Sequence, residues 1–543
     1  MANKKMFASA PKARPADAIN EASGRAYAFS AEHALAQYAS TGTFHGTFYA
    51  SEGEQLEKTL SLAAACDPTF VAKTAVFARE RGHMKDMPAF LAAFVASKDV
   101  KLLSAIFPRV VDNGKMLRTF VQIVRSGVVG RKSFGSAPKR LLRGWFSSRS
   151  PDVLFRQSLG SDPSMADVIK MIRPIPKNEK GELDLERQAL YGWLIGRDVE
   201  IDRLPSIVQS FEKFKKGATK DVPSVPFEML TALPLDAEAW KSIARGMSWT
   251  QLRMNLATLA RHGVFESKEL VKHVASKLGN ASEVRRARAF PYQLMAAFKA
   301  VGAGVPGEIA IALQSAMEIA TENVPSIVTN AVSGESISGK VWVCPDVSGS
   351  MRSPITGHRN GSTSSVRCLD VAALVAAAIL RKNPSAEIVP FSDDVVALPR
   401  PLNPFDSVMT NAELLANLPS GGTACSAPLR RLNEKKEKGD LVVYVSDNQS
   451  WVDFAGRSYG HQKGRGTRMA EEWARFRDRN PNAKLVLVDL QPYASTQVSD
   501  DDAVLNVGGF SDHVFELISL FAKGELGAQH WVDRIRAIEL VAN

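Results

Sequence analysis

The chain has 543 residues, a net charge of +11, 45% hydrophobic and 23% charged residues, an ordinary globular composition with room for two or three domains of roughly 100–250 residues each. Its four cysteines, Cys66, Cys344, Cys368 and Cys425, form no Cys-x-x-Cys pair and read as reduced thiols of a cytosolic protein. The opening Met-Ala-Asn-Lys-Lys leads into no apolar stretch, which argues against a signal peptide, and the longest apolar segment, Val371 to Leu380, falls far short of the ~20 residues that span a bilayer.

Residues 1–24 read as an N-terminal extension. Residues 25–335 read as helix after helix. Glu54–Ala65, Pro88–Val95, Leu117–Val124 and Glu308–Ile319 place apolar residues at i, i+3, i+4 and i+7. Short breaks rich in Gly, Pro, Asp or Ser separate them, and no convincing alternating strand is visible. Antiparallel helix pairs repeated over such a length suggest an α-solenoid, open, curved or closed into a ring.

This helical part is also the basic part. Residues 1–340 carry +13 and residues 341–543 carry −2, which together make the +11. Residues 101–150 hold eleven Lys/Arg against one acid, Asp112. Solvated helical faces usually mix both signs, whereas a one-sign field attracts a polyanion. Lys115, Arg118, Arg125, Arg131, Lys132, Lys139, Arg140 and Arg143 are therefore candidate RNA contacts. Arg156 and Arg173, on either side of Ser164–Asp167, are further candidates, and Arg285, Arg286 and Arg288 form a second cluster whose alternative is an interdomain surface. Phe134, Trp145 and Phe146 either stack bases or pack between helices; packing is the commoner fate.

Residues 340–525 alternate strand and helix. Strand candidates are Val341–Cys344, Ala386–Phe391, Leu441–Val445 and Leu485–Val488. Helix candidates are Leu369–Arg381, Ala412–Asn417, Ala427–Lys435, Met469–Asp478 and Val514–Ala522. Continuous apolar strands predict a buried parallel sheet, an α/β domain of Rossmann-like type. Ligands of such sheets bind beyond the carboxyl ends of the strands. There the first strand delivers Asp346, Ser348 and Ser350, the third delivers Asp447, and Gly421-Gly422-Thr423 lies in a loop before a helix. One carboxylate and two hydroxyls at a strand tip make a hard-oxygen cation site, and small ligands leave coordination positions open. Mg²⁺ is the expected ion, with Mn²⁺ the alternative.

The spacing Asp-x-Ser-x-Ser, then Thr, then Asp resembles the metal-ion-dependent adhesion site of von Willebrand factor A (vWA) domains. That resemblance implies metal ligation by Asp346, Ser348, Ser350, Thr423 and Asp447, with a protein partner's carboxylate filling an open position. The small polar residues 331–340 then mark a domain boundary, and 526–543 form a C-terminal segment.

The basic helical half beside this domain resembles the Ro autoantigen family, in which a TROVE module of HEAT-like repeats precedes a vWA domain. Thr43 to Glu52 is similar to the family's "GTYY-S-E" element. Ala78 to Gly82 and Asp86-Met87-Pro88 fit its following helices. Gly130-Arg131-Lys132 through Trp145 looks like its basic helix, and Met247 to Leu252 with Asn255-Leu256 is similar to its "WT-x-L-x-x-NL" signature. The resemblance implies a ring of helical repeats in a cytoplasmic, monomeric protein, of a kind expected in bacteria or phages. It implies small noncoding Y-like RNA on the outer basic surface, single-stranded ends of structured or misfolded RNA in the central hole, and a role in RNA quality control or decay. One departure stands out. Where many relatives carry a Ser-His-x-Asp element with an RNA-contacting His, this chain has Ser164-Met165-Ala166-Asp167.

Catalysis is not expected. Gly456-Arg457-Ser458-Tyr459-Gly460 matches G-x-S-x-G but lacks the flanking strand and helix that expose a nucleophile. No phosphate loop of the GxxxxGK[ST] type and no HExxH occur. An aspartyl nucleophile at Asp346 would want a second Asp two residues on, where Ser348 stands. The alternative to an RNA-binding scaffold is a non-RNA assembly cofactor whose vWA domain holds a protein partner through the metal.

Overall fold

The apolar runs that end in polar residues become strands of one parallel sheet. In the computed structural model, which describes residues 13–42, 44–160, 162–177, 181–287, 289, 291–302, 304–322, 340–358, 366–454, 466–509, 512–524 and 530–540, two small strands precede it: β1 (Ala18–Ile19) and β2 (Arg25–Ala28). The sheet strands are β3 (Val341–Pro345), β4 (Glu387–Ile388), β5 (Leu441–Ser446) and β6 (Lys484–Asp489), followed by β7 (Ser495–Thr496) outside the sheet and β8 (Val504–Gly508) within it. The order is β4-β3-β5-β6-β8, every pair parallel. Nearly every residue of these strands is buried, so their sequences are continuously apolar rather than alternating.

The helices Cys368–Lys382, Val408–Ala416, Ala427–Glu434, Arg468–Arg479 and Asp512–Ala522 match the sequence expectation to within a few residues. The sequence reading missed β8, because Val504–Gly508 follows a run of acids and contains Asn506, a polar residue that only the buried hydrogen bonds to Thr496 and Asp500 explain.

The chain divides into two compact units, Met1–Thr59 with Ala275–Asp533, and Leu60–Val274 with Arg534–Asn543. This division falls away from the small polar stretch at 331–340. Packing explains it. The helix Pro291–Val301 sends Lys299 to Asp370 at 2.6 Å, and Glu318 of the helix Gly307–Glu322 accepts from the Val408 amide at 2.8 Å. The N-terminal residues join the same unit. Against the expectation of no strand there, β2 pairs antiparallel with β1 and β7, and Tyr27 enters the apolar cluster of Trp342, Cys344 and Tyr444. Two- and four-residue strands carry too little alternation to be read from sequence.

In the second unit, the helices run as the apolar periodicity predicts. Gly114–Ser126 starts at Asn113, whose side chain accepts from the Met116 amide, and ends at Gly127. It buries Met116, Leu117, Phe120, Val121 and Val124 along one stripe. Ser136–Ser147 buries Pro138, Leu142, Trp145 and Phe146. The C-terminal Glu539 and Arg536 carbonyls accept from Arg109 and Lys73 in this unit. Gly456 to Gly460 and the basic loop around them lie outside the described residues.

Candidate metal centre and nucleic-acid interface

The sheet brings the metal-ligand candidates together at its carboxyl end. Asp346 follows β3 and Asp447 follows β5, the two central strands. Asp346, Ser348, Thr423 and Asp447 are at most 1% exposed and Ser350 is 5% exposed. The Asp346 amide donates to the Val445 carbonyl at 2.9 Å, which fixes the two strand ends side by side. Asp346 Oδ1 accepts from the Ser348 amide at 2.8 Å, and Oδ2 accepts from the Ser446 hydroxyl at 2.6 Å. Ser348 Oγ and Ser350 Oγ stand 3.3 Å apart, and Ser350 lies beside the Asp447 carboxylate. The Thr423 loop is drawn in by the Gly349 amide, which donates to the Gly421 carbonyl at 3.0 Å, and by the Val452 amide, which donates to the Thr423 carbonyl at 3.1 Å. A side chain at Gly422 would strike Val452 and come within 2.9 Å of the Trp451 ring, so only glycine lets this loop close on the site.

Electrostatics and orphaned atoms fit a divalent cation. Burial pushes both carboxyls upward, and the Asp346 charge pushes Asp447 further. Among the described residues no Lys, Arg or His pairs with either carboxylate, and Asp447 Oδ2 is buried with no hydrogen-bond partner. All five candidate donors are oxygens, as a hard ion such as Mg²⁺ requires. Sequence reading missed Ser446, which orients Asp346, and Tyr49, which lies near Ser350 and both carboxylates. Ser446 directly precedes Asp447 and was legible in principle. Tyr49 was not, because a separation of 301 residues along the chain leaves no local signal.

The basic residues divide by what they touch. Lys115, Arg118 and Arg125 fall within about 80° around their helix, at 3.6 residues per turn, on the side opposite its buried stripe. Lys139, Arg140 and Arg143 fall within about 100° on theirs. Both helices pack against Met165–Ile172. Among the described residues, none of Lys115, Arg118, Arg125, Arg131, Lys132, Lys139, Arg140, Arg143, Arg156 and Arg173 forms an ion pair, whereas Arg79 and Arg109 are matched by Asp112 and Glu80. Three of the ten nevertheless tie backbone down. Arg118 donates to the Gln157 carbonyl at 3.1 Å, Arg131 to the Ala96 carbonyl at 2.7 Å, and Arg143 to the Ile172 carbonyl at 2.7 Å. Arg173, exposed, caps that last helix in the left-handed conformation, φ 49°.

Other expectations resolve into packing. Trp145 and Phe146 are core residues, Trp145 donating to the Val111 carbonyl at 2.8 Å. Arg149 lies 3.8 Å over the Trp145 ring, and burial lowers its guanidinium to about 10. Met165 is 1% exposed, beneath a capping box of Ser164 and Asp167, so its side chain faces the core and not the basic surface. Arg285 and Arg286 belong to the sheet-containing unit and are paired with Glu322 and Glu283 at 2.9 and 2.7 Å.

Comparison with known proteins agrees with this architecture. Residues 340–522 match the model of the Ro60 vWA domain, and residues 226–324 match that of the TROVE domain. The chain is 24% identical over 557 aligned positions to a Deinococcus radiodurans protein named RNA-binding protein RO60, covering 93% of this chain and 95% of that one. It is 22% identical over 419 positions to the Caenorhabditis elegans protein of the same name, covering 74% and 62%. The crystal structure of the Deinococcus radiodurans RO (RSR) protein superimposes with a TM-score of 0.60 at 20% identity, covering 92% of this chain and all of that one. With a mostly helical N-terminal region and a vWA domain built on a parallel sheet, the chain carries the two domains of the Ro family, TROVE and the Ro60 vWA domain.

Proposed function

We propose that the protein is a non-enzymatic RNA-binding scaffold. One observation carries the proposal: a field of exposed Lys and Arg across the Gly114–Ser126 and Ser136–Ser147 helices, with no carboxylate in ion-pairing range among the described residues. Unmatched cations repel one another and cost stability, so a polyanion is the natural counterpart. Phosphates would displace counterions there, which makes the affinity fall steeply with salt. The relatives named RNA-binding proteins support the same reading.

The finer reading is a small noncoding Y-like RNA on the surface of Lys115, Arg125, Lys132, Lys139, Arg140, Arg156 and Arg173. The second proposed cargo is the single-stranded end of a structured or misfolded RNA, taken into the ring that the Ro resemblance implies. Quality control or decay of such RNAs, by a cytoplasmic monomer, completes the proposal. Mg²⁺ or Mn²⁺, held by Asp346, Ser348, Ser350, Thr423 and Asp447, would neutralise the buried carboxylates and offer a Lewis-acidic position to a protein partner's acid.

The test is RNA co-purification from the native host with wild type and with a variant in which Lys115, Arg125, Lys132, Lys139 and Arg140 are Ala. Among the described residues these five make no hydrogen bond to backbone carbonyls, so the variant should stay folded. A discrete structured RNA lost from the folded variant supports the proposal. Background RNA alone in both proteins overturns it and favours a protein-assembly role.

A further inference from the structure

The metal-site donors are buried although the usual partner of such a site comes from outside. The segment 44–50 belongs to the same compact unit and docks on the loop that follows Ser350. Three contacts seat it. The Gly46 carbonyl accepts from the His358 amide at 2.8 Å, in a short antiparallel bridge to the loop that follows Ser350. Gly357 lies against it at φ 76°, where an added Cβ would sit 2.9 Å from His45 Cβ, so this approach needs glycine. Thr47 Oγ1 stands 3.0 Å from the Tyr493 hydroxyl and 3.4 Å from Gln55 Nε2. Held in this way, Tyr49 packs edge-on against Phe48 and Tyr493, and its hydroxyl lies beside Ser350. Ser350 in turn bonds Ser348 and stands beside Asp447.

We infer that Tyr49 is a built-in gate of the metal site: its phenol, carried by the docked segment 44–50, holds the place over Ser350 that an outside carboxylate would take. The inference rests on the metal reading above. A partner's acid then reaches the ion only when Tyr49 withdraws, and loading the ion and recruiting the partner become separable steps. The chemistry is favourable. A neutral phenol oxygen is a weaker donor to a hard cation than a carboxylate, so an acid delivered at high local concentration displaces it.

Mn²⁺ binding to the full-length protein, followed by water-proton relaxation with and without acetate as a stand-in for the partner's carboxylate, tests the gate. Wild type should bind Mn²⁺ with an affinity that acetate changes less than about twofold. Tyr49→Ala should bind Mn²⁺ with acetate tightening it by about fivefold or more, the lower end of ordinary coupling between sites. Tyr49→Phe keeps the ring packing but not the hydroxyl beside Ser350, and should gain part of that coupling. It guards against misfolding of the alanine variant. Acetate coupling in wild type as large as in the variants overturns the gate and leaves the metal site standing, as does its absence from both folded variants. No saturable Mn²⁺ binding in wild type, with Asp447→Ala indistinguishable from it, overturns the metal reading and the gate together.

Discussion

A buried carboxylate without a counter-charge is costly, and this protein places three at adjoining strand ends. Asp346, Asp447 and Asp489 are all pushed above the ordinary 3.8 by burial, Asp447 also by Asp346, and Asp489 also by Asp447. A carboxyl raised in the folded state binds more protons there than in the unfolded chain. Without metal, stability should therefore fall as pH rises above about 3.8, until the folded groups have ionised. With Mg²⁺ the fall should vanish, since the ion replaces the protons. Thermal unfolding from acid to alkaline pH, in chelator and in excess Mg²⁺, measures this; identical profiles would count against the site. At a hundredfold excess over its dissociation constant the ion should add about 2.7 kcal/mol. Asp346→Ala should abolish the Mg²⁺ effect and leave RNA affinity within twofold of wild type, as estimated for sites without shared partners.

On the scale of one element, the helix Ser136–Ser147 separates two roles that its sequence mixes. Its inward face holds Leu142, Trp145 and Phe146, and its outward face Lys139 and Arg140. Trp145→Ala removes a buried indole and its bond to the Val111 carbonyl, and should cost about 3–5 kcal/mol in denaturant unfolding. Lys139→Ala and Arg140→Ala should each change stability by less than about 0.5 kcal/mol while weakening RNA binding. Arg143 stands between these cases, because its Nε holds the Ile172 carbonyl at the end of a neighbouring helix. Arg143→Ala should lower both stability and affinity, whereas Arg143→Lys should restore part of the affinity and less of the carbonyl contact. Equal effects of Arg143→Ala and Arg140→Ala on unfolding would remove that distinction.

For the whole molecule, charge is divided as sharply as fold. The positive excess of +13 in residues 1–340 contrasts with −2 in the remainder. If phosphate contacts dominate, the slope of log affinity against log salt should fall by about 3.5 in the fivefold Lys115, Arg125, Lys132, Lys139 and Arg140 alanine variant, at about 0.7 per lost contact to a single strand. Binding measured from about 50 to 200 mM salt decides this, and an unchanged slope would place the RNA elsewhere. Asp346→Ala, tested in the same series, should keep the wild-type slope.

Much of this was present in the amino-acid sequence itself. Helix types follow from apolar periods that persist over several turns, strand types from short continuous apolar runs, and the turn from apolar strand to Asp346-Val347-Ser348-Gly349-Ser350 follows from what strand ends in parallel sheets do. The one-sign charge of residues 101–150 is composition alone. Tertiary structure decided which of those cations are spent on carbonyls, since Arg118, Arg131 and Arg143 look no different in sequence from Lys132 or Arg140. It sent Trp145, Phe146 and Met165 into the core, because helix facing depends on what packs alongside. It also carried Tyr27 and Tyr49 to the sheet-containing unit, across some three hundred residues of chain. Local patterns record what a residue does to its own turn or strand. That Tyr49 comes to lie beside Ser350 is settled only by the path of the chain between them.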